Sequence, residues 1–112
     1  MRRFIQASAE EDILRQFEWY VEQGVPDVAM RFRAAVRESI DRLLAMPESG
    51  APKRLPNRRL AGLRTWPVRG FDEFRVYYIP HEDVVAVIRI LHDKRNTDRI
   101  LRRQQVEDPG AQ

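Results

Sequence analysis

The spacing of apolar residues changes once along the chain, and this change limits the folds that the chain can adopt. Between Ile13 and Leu44 apolar residues recur every three or four positions, a period typical of amphipathic helices. From Leu63 to Leu91 they alternate or run continuously, as they do in β-strands. The sequence therefore predicts a pair of helices followed by a β-meander.

Turn residues divide these stretches into elements in the order β-α-α-β-β-β, with a short last helix. Ser8, followed by Glu11, predicts the start of the first helix through a capping box, and Gly24 predicts its end. Thr97 is predicted to cap the last helix. The other predicted spans are a strand at 3–7, a helix at 26–45, a loop at 47–62, strands at 63–68, 74–79 and 84–91, and the last helix at 98–104.

The strand predicted at 84–91 is apolar on both faces except at Arg89, a pattern typical of a central strand. The preceding strand would occupy one side of it, and the N-terminal strand is the only other candidate for the second side. Because the connection between the helices is short, they must lie antiparallel and bury their apolar stripes on one face of the sheet. Pro67 predicts an edge position or a bulge. We expect an α+β fold in which a helical hairpin covers a four-stranded sheet.

The length of 112 residues suits one domain, which we expect to span 1–104, followed by a flexible tail at 105–112. The chain has no cysteine and two histidines, too few ligands for a dedicated zinc or iron site. We therefore expect no metal and no cofactor. No apolar run approaches the roughly 20 residues that span a bilayer, so we expect a cytoplasmic protein without a membrane partner.

The net charge of +3 is unevenly distributed along the chain. Residues 1–50 carry seven arginines and nine acidic residues, whereas residues 51–112 carry thirteen basic and eight acidic residues. Only two of the twenty basic residues are lysine, Lys53 and Lys94. Arginine suits planar contacts with carboxylates or phosphates, so the pattern fits a surface for an acidic partner. A genome rich in arginine codons would explain it equally well.

The element order and an ordered set of residues resemble the RelE/ParE toxins, from Phe4 to about Leu101. The most specific part is Arg75-Val76-Tyr77-Tyr78, followed by Ile90-Leu91-His92 and Arg95. The other matching residues are Ala9, Asp12, Ile13, Phe17, Tyr20 and Gly24 in the first helix, Ala29, Phe32, Ile40 and Leu43 in the second, Pro47 and Gly50 after it, and Leu63, Arg64, Val68, Gly70, Phe71, Phe74 and Ile88 in the strands and turns.

The resemblance implies the toxin of a type II toxin–antitoxin pair, neutralised by a ParD-like antitoxin in a heterotetramer or a larger complex. It is closest to ParE, whose members block DNA gyrase, and so implies a replication inhibitor that meets nucleic acid only through its target or the antitoxin complex. The RelE branch of the same fold provides an alternative, a ribosome-dependent mRNA endonuclease. In that alternative Arg75 and Arg95 would stabilise charge, and His92 would move a proton. A relative that has lost its toxicity is a third possibility.

Two sets of residues are candidates for contacts with partners. Strand alternation places Arg75 and Tyr77 on the face away from the helices, where exposed arginine and tyrosine are typical interface anchors. His92 would either act at a site or only complete hydrogen bonds at the strand end, because the sequence shows no acid paired with it. The target-binding candidates are Arg64, Arg69, Arg75, Tyr77, His92, Arg95 and Arg99. The antitoxin-binding candidates are Trp19, Trp66, Arg54, Arg58 and Arg59, although the tryptophans also fit the core margin and the basic loop also fits a solvated surface.

Overall fold

The computed structural model describes residues 1–109. It contains the helices α1 (Ala7–Glu22), α2 (Pro26–Ala45) and α3 (Thr97–Arg102), and the strands β1 (Arg2–Ile5), β2 (Ala51–Pro52), β3 (Arg64–Val68), β4 (Phe71–His81) and β5 (Val84–His92). The strands form one sheet in the order β1-β5-β4-β3-β2. The predicted α+β fold and order of elements are confirmed. Within the described residues, no helix is long and apolar enough to cross a membrane.

Strand β5 lies inside the sheet, between β1 and β4, as its two-sided apolar pattern predicts. β1 pairs with it in parallel, with Ile5 opposite Val87, and β4 pairs with it in the antiparallel direction. The prediction of four strands is wrong by one, because Ala51 and Pro52 form a short strand outside β3. Two residues are too few to show an alternating pattern, so this strand follows from tertiary pairing alone.

The helical hairpin covers one face of the sheet, as predicted. Helix α2 buries its apolar stripe against this face, and β4 meets it with every second side chain. We call this cluster the hairpin core, and its central members are Ala9, Phe32, Val36, Ile40, Leu43, Phe74, Val76 and Tyr78. Each large side chain buried in this way stabilises the fold by about 1.5–3 kcal/mol relative to its exposed state.

The opposite face of the sheet is also covered, so the expectation that Arg75 and Tyr77 are exposed on this face is wrong for Tyr77. The loop before β3 and helix α3 fold back over this face and bury a second core, formed by Leu60, Leu63, Tyr77, Ala86, Ile88, Leu91 and Leu101. Tyr77, a target-binding candidate, is only 4% exposed. Both faces of β4 and β5 are apolar at this point, so burial of the outer face is favourable as well. The turn residues of the loop do not show that the loop covers this face.

A β-bulge determines which side chains of β5 reach each core. Within the β4–β5 pair the register shifts by one residue near the middle of the hairpin. Regular alternation from Val87 would turn Arg89 towards the hairpin core, whereas the bulge places Ile90 there instead. The same shift sets His92 opposite Phe74.

Side chains of α1 satisfy the edge of β5 beyond the end of β1. Ser8 Oγ donates to the Ile88 carbonyl at 2.8 Å, so Ser8 is not the N-cap that the capping box predicts. The helix begins at Ala7, and the side chain of the residue before it makes no capping hydrogen bond. One helical turn after Ser8, Asp12 Oδ2 accepts the Ile90 N–H at 2.9 Å. These contacts replace the pairing that a neighbouring strand would supply.

Asp12 also holds Arg89 in a buried, bidentate ion pair. The Nε and Nη2 atoms of Arg89 lie 2.7 and 2.8 Å from the two carboxylate oxygens. The side chain of Arg89 is 15% exposed and that of Asp12 is 4% exposed. Nη1 of Arg89 also donates to Gln104 Oε1 at 3.0 Å. The pair therefore joins α1, β5 and the segment that follows α3.

The Tyr78 hydroxyl holds the loop that follows α2. It donates to the Pro47 carbonyl at 2.7 Å and accepts the Gly50 N–H at 2.9 Å. Glycine permits this approach, since a Cβ at position 50 would lie 2.5 Å from the hydroxyl oxygen. Burial raises the pKa of Tyr78, and the hydrogen bond from Gly50 offsets only part of that rise.

Polar side chains hold α3 and the segment after it. Asn96, rather than Thr97, caps α3, because its side chain accepts a backbone N–H of the first turn. Gln6, which is 2% exposed, donates to the Gln105 carbonyl and accepts the Glu107 N–H. The predicted tail at 105–112 is thus held against the domain as far as Glu107, and residues 110–112 of it lie outside the described residues.

Replacing Asp12 with alanine should destabilise the fold strongly. Arg89 would remain as an unpaired buried charge and the Ile90 N–H would lose its acceptor, which together cost about 3–5 kcal/mol of unfolding free energy. Urea denaturation of the purified protein measures this loss. The matched control is Asp41→Ala, since Asp41 pairs with Arg3 at the surface and its loss should cost less than about 1 kcal/mol. Equal losses in the two variants would contradict the assignment. If Asp12→Ala does not fold, adding Arg89→Met should restore part of the stability, because no charge is then left buried while the Ile90 N–H still lacks its acceptor.

Replacing Tyr78 with phenylalanine should cost about 1–3 kcal/mol at neutral pH, because the Pro47 carbonyl and the Gly50 N–H lose their partner. A raised pKa in the folded state makes the tyrosine contribution complete below the unfolded pKa of about 10, and the contribution is lost as pH rises through the folded pKa. The difference in stability between the wild type and Tyr78→Phe should therefore shrink above about pH 10. Denaturation curves at several pH values measure it, and a constant difference would contradict the prediction.

Candidate interaction surface

Three target-binding candidates lie at the end of the sheet where β5 ends. β4 is antiparallel to β5, so its first residues meet the last residues of β5, and the Glu73 carbonyl accepts the Asp93 N–H at 2.7 Å. The turn with Arg69 precedes β4, and the turn with Arg95 follows β5. Both arginines are exposed. We call this region, which also includes His92, the sheet end.

His92 is paired with an acid that sequence analysis missed. Its Nε2 lies 3.0 Å from Glu73 Oε2, and its Nδ1 accepts the Lys94 N–H at 3.0 Å. Because Nδ1 is an acceptor, the neutral ring carries its proton on Nε2, directed at Glu73. The ring also packs edge-on against Phe74, with 4.9 Å between centroids. Hydrogen bonds on both nitrogens and the aromatic contact therefore hold the ring in one orientation.

Arg75 and His92 lie on opposite faces of the sheet. His92 is opposite Phe74, which belongs to the hairpin core, whereas Arg75 is opposite Leu91, which belongs to the second core. Neighbouring residues of a strand point to opposite faces, so the two side chains are directed away from each other. The joint site that an mRNA endonuclease would need from Arg75, His92 and Arg95 is not assembled in this structure.

Arg64 and Arg75 have hydrogen-bond partners within the fold. Arg64 Nη1 donates to the carbonyls of Glu48 and Gly50 at 3.0 and 2.7 Å. Arg75 Nε donates to Thr65 Oγ1 at 2.8 Å. Both side chains are half-buried, and part of their donor capacity supports the loop after α2 and the β3–β4 pair. The exposed arginines of the target-binding set are Arg69, Arg95 and Arg99.

A concave surface lies between α1 and the His92 ring. It has a volume of about 430 Å³ and is lined by Arg15, Trp19, Tyr20, Glu73, Phe74 and His92. Trp19 is 50% exposed and packs edge-on against Tyr20, with ring centroids 5.4 Å apart. We call this surface the Trp19 groove. Its aromatic wall and the Glu73 carboxylate suit an apolar or cationic side chain of a partner.

A second groove runs along the outer side of the helical hairpin. It has a volume of about 380 Å³, and its lining includes Leu14, Phe17, Arg33 and Arg37. Leu14 is 56% exposed, and Val21, two turns later on the same side of α1, is 45% exposed. Arg33 lies over the Phe17 ring, 4.9 Å from its centroid. We call Leu14, Phe17 and Val21 the α1 strip. Leu14 lies in the apolar stretch between Ile13 and Leu44 that predicts the helices, but the structure leaves it at the surface.

The other antitoxin-binding candidates lie in different places. Trp66 is half-buried and packs against the hairpin core. Arg54, Arg58 and Arg59 are exposed on the loop that covers the second core. The tryptophans and the basic loop therefore do not form one continuous surface.

A family model described as the ParE toxin of the type II toxin–antitoxin system, parDE, matches residues 4–97. The chain belongs to the ParE toxin family. A chain of the chromosomal ParDE toxin–antitoxin system from P. aeruginosa has the same fold, with a TM-score of 0.68 and 20% sequence identity over 82% of this chain and 95% of that chain. No curated protein sequence matches the chain significantly. The ParE match includes the hairpin, the sheet and the sheet end, and it stops at the first residue of α3.

Proposed function

We propose that this ParE family toxin inhibits DNA gyrase, and thereby DNA replication, and that a ParD-like antitoxin neutralises it by direct binding. The observation that carries the proposal is the family match over residues 4–97. The separation of Arg75 and His92 on opposite faces supports it further, because it argues against the endonuclease alternative. An inhibitor needs only a surface that fits its target, and function depends on that surface rather than on the fold.

For the gyrase contact we propose the sheet end together with the start of α3. Arg69, Arg95 and Arg99 are exposed there, and guanidinium groups bind carboxylates and phosphates in a bidentate manner. Arg64 and Arg75 contribute less, because they already donate to groups within the fold. Tyr77 is left out of the contact because it is buried.

For the antitoxin contact we propose the α1 strip and the Trp19 groove. An antitoxin segment that folds on binding needs apolar anchors, and Leu14 and Trp19 are exposed apolar side chains on either side of α1. Arg33 and Arg37 line the groove together with Glu10 and Glu11, and the two arginines suit acidic residues of such a segment. A dimeric antitoxin that binds one toxin on each copy would form a heterotetramer.

A supercoiling assay tests the proposed target. Purified toxin, added to gyrase and relaxed plasmid, should reduce supercoiling and increase the amount of cleaved DNA, and toxin first mixed with its antitoxin should do neither. Undiminished supercoiling at saturating toxin would contradict gyrase inhibition. Primer extension on mRNA from induced cells tests the alternative, since discrete cuts at the ribosomal A site would indicate an endonuclease instead.

Replacing Trp19 with alanine should weaken antitoxin binding by about 30-fold, which corresponds to about 2 kcal/mol for a central aromatic anchor. Titration calorimetry with the antitoxin encoded beside the toxin gene measures the dissociation constant. The matched control is Met46→Ala, because Met46 is a large apolar residue, 67% exposed, at the end of α2 and outside both grooves. Equal dissociation constants for the two variants would rule out the Trp19 groove as part of the contact.

A further inference from the structure

The structure brings two arginine-rich segments, distant in sequence, onto one side of the molecule. The first is the loop before β3, and the second is α3 with the turn that precedes it. Lys53 Nζ pairs with Asp98 at 2.8 Å. Asn57 Nδ2 donates to the carbonyls of Leu101 and Gln104 at 2.9 and 3.1 Å. Both segments cover the second core, so their polar side chains face outwards together.

Besides Arg59 and Arg103, five arginines of these segments are exposed: Arg54, Arg58, Arg95, Arg99 and Arg102. We call them the arginine face. Within residues 1–109 none of the five forms an ion pair. Asp98 is the only acid between Lys94 and Arg103. A hydrogen bond from Lys53 and, less strongly, the nearby charge of Arg102 lower the pKa of Asp98. Arg59 is excluded from the set because it lines a cavity together with Asp83 and Glu107.

The arginine face differs in chemistry from the surfaces proposed for the antitoxin. Neither of its segments, 53–63 and 94–103, contains an aromatic residue. The large apolar side chains exposed within the described residues all lie elsewhere: Met1, Leu14, Trp19, Val21, Met30 and Met46. A protein segment that folds on binding requires apolar anchors, and single-stranded nucleic acid requires aromatic side chains for base stacking. The phosphates of a duplex require only positioned cations.

We propose that the arginine face binds the phosphate backbone of duplex DNA directly, without sequence preference and without gyrase. This inference goes beyond the proposed function, in which nucleic acid is met only through the target or the antitoxin complex. β5 leads into α3 through a short turn, and Arg95 in this turn belongs to both the sheet end and the arginine face, so the two surfaces overlap. A toxin held on DNA in this way would bring the rest of the sheet end close to a protein bound on the same duplex.

Fluorescence anisotropy with a labelled DNA duplex of about 20 bp tests the proposal on the full-length toxin at about 50–200 mM salt. We expect dissociation constants of about 1–100 μM that increase steeply with salt, as counterions are released. In the variant Arg54→Gln/Arg58→Gln/Arg102→Gln the plot of the log of the association constant against log salt should become less steep. The magnitude of its slope should decrease by about 2.7, or about 0.9 for each phosphate that the protein no longer neutralises. Each single variant should decrease it by about 0.9.

The matched control is Arg31→Gln/Arg37→Gln/Arg42→Gln, which removes the same charge from exposed positions of α2. Its salt slope should equal that of the wild type. No binding at low salt, or the same decrease in both triple variants, would overturn the proposal. Tighter binding of single-stranded RNA of the same length would overturn it as well. Binding of a polyglutamate peptide but not of DNA would assign the face to an acidic protein instead.

Failure of the DNA-binding proposal can be distinguished from failure of the proposed gyrase inhibition. Arg54, Arg58 and Arg102 are not part of the proposed gyrase contact, and the anisotropy measurement contains no gyrase. A toxin that binds DNA through this face but leaves supercoiling intact would contradict gyrase inhibition alone. A toxin that inhibits gyrase but does not bind the duplex would contradict the arginine face alone.

Discussion

The buried ion pair between Asp12 and Arg89 is the contact on which the joining of helices and sheet depends. β1 ends at Ile5, so beyond that point the edge of β5 has no neighbouring strand. The Asp12 carboxylate accepts hydrogen bonds from the Ile90 N–H and from Nε and Nη2 of Arg89. These bonds satisfy the edge of β5 and neutralise a buried charge. Through Gln104, Arg89 also holds the segment after α3. One carboxylate therefore positions α1, β5 and part of the cover on the far side.

The two cores account for the separation of the two kinds of surface. The hairpin core fixes α1 with Leu14 and Trp19 outside it, so the apolar surface of the molecule lies on the hairpin side. The second core draws the basic loop and α3 together, so unpaired arginines accumulate on the opposite side. A macromolecule that binds through apolar anchors and one that binds through phosphates would thus meet different faces of the toxin.

The elements that could be predicted from sequence are those set by local burial. The stripe of α2 and the two-sided apolar pattern of β5 follow from the period of side chains on a helix and a strand, so their positions were correct. Ser8 matches a capping pattern, yet its hydroxyl is bonded to the Ile88 carbonyl, a partner 80 residues away. The alternation of β4 correctly placed Tyr77 on the face away from the helical hairpin, but no local pattern showed that α3 and the basic loop would cover it.

The sequence alone determined the family resemblance, the order of a helical hairpin followed by a β-meander, and the predominance of arginine among the basic residues. Only the tertiary structure decided which of those charges are available to a partner. The bulge in β5 pairs His92 with Phe74, turns the ring towards Glu73 and leaves Arg75 on the other face. A shift of one residue in pairing changes the face of every side chain beyond it, and it depends on contacts between strands, which the sequence of one strand does not contain.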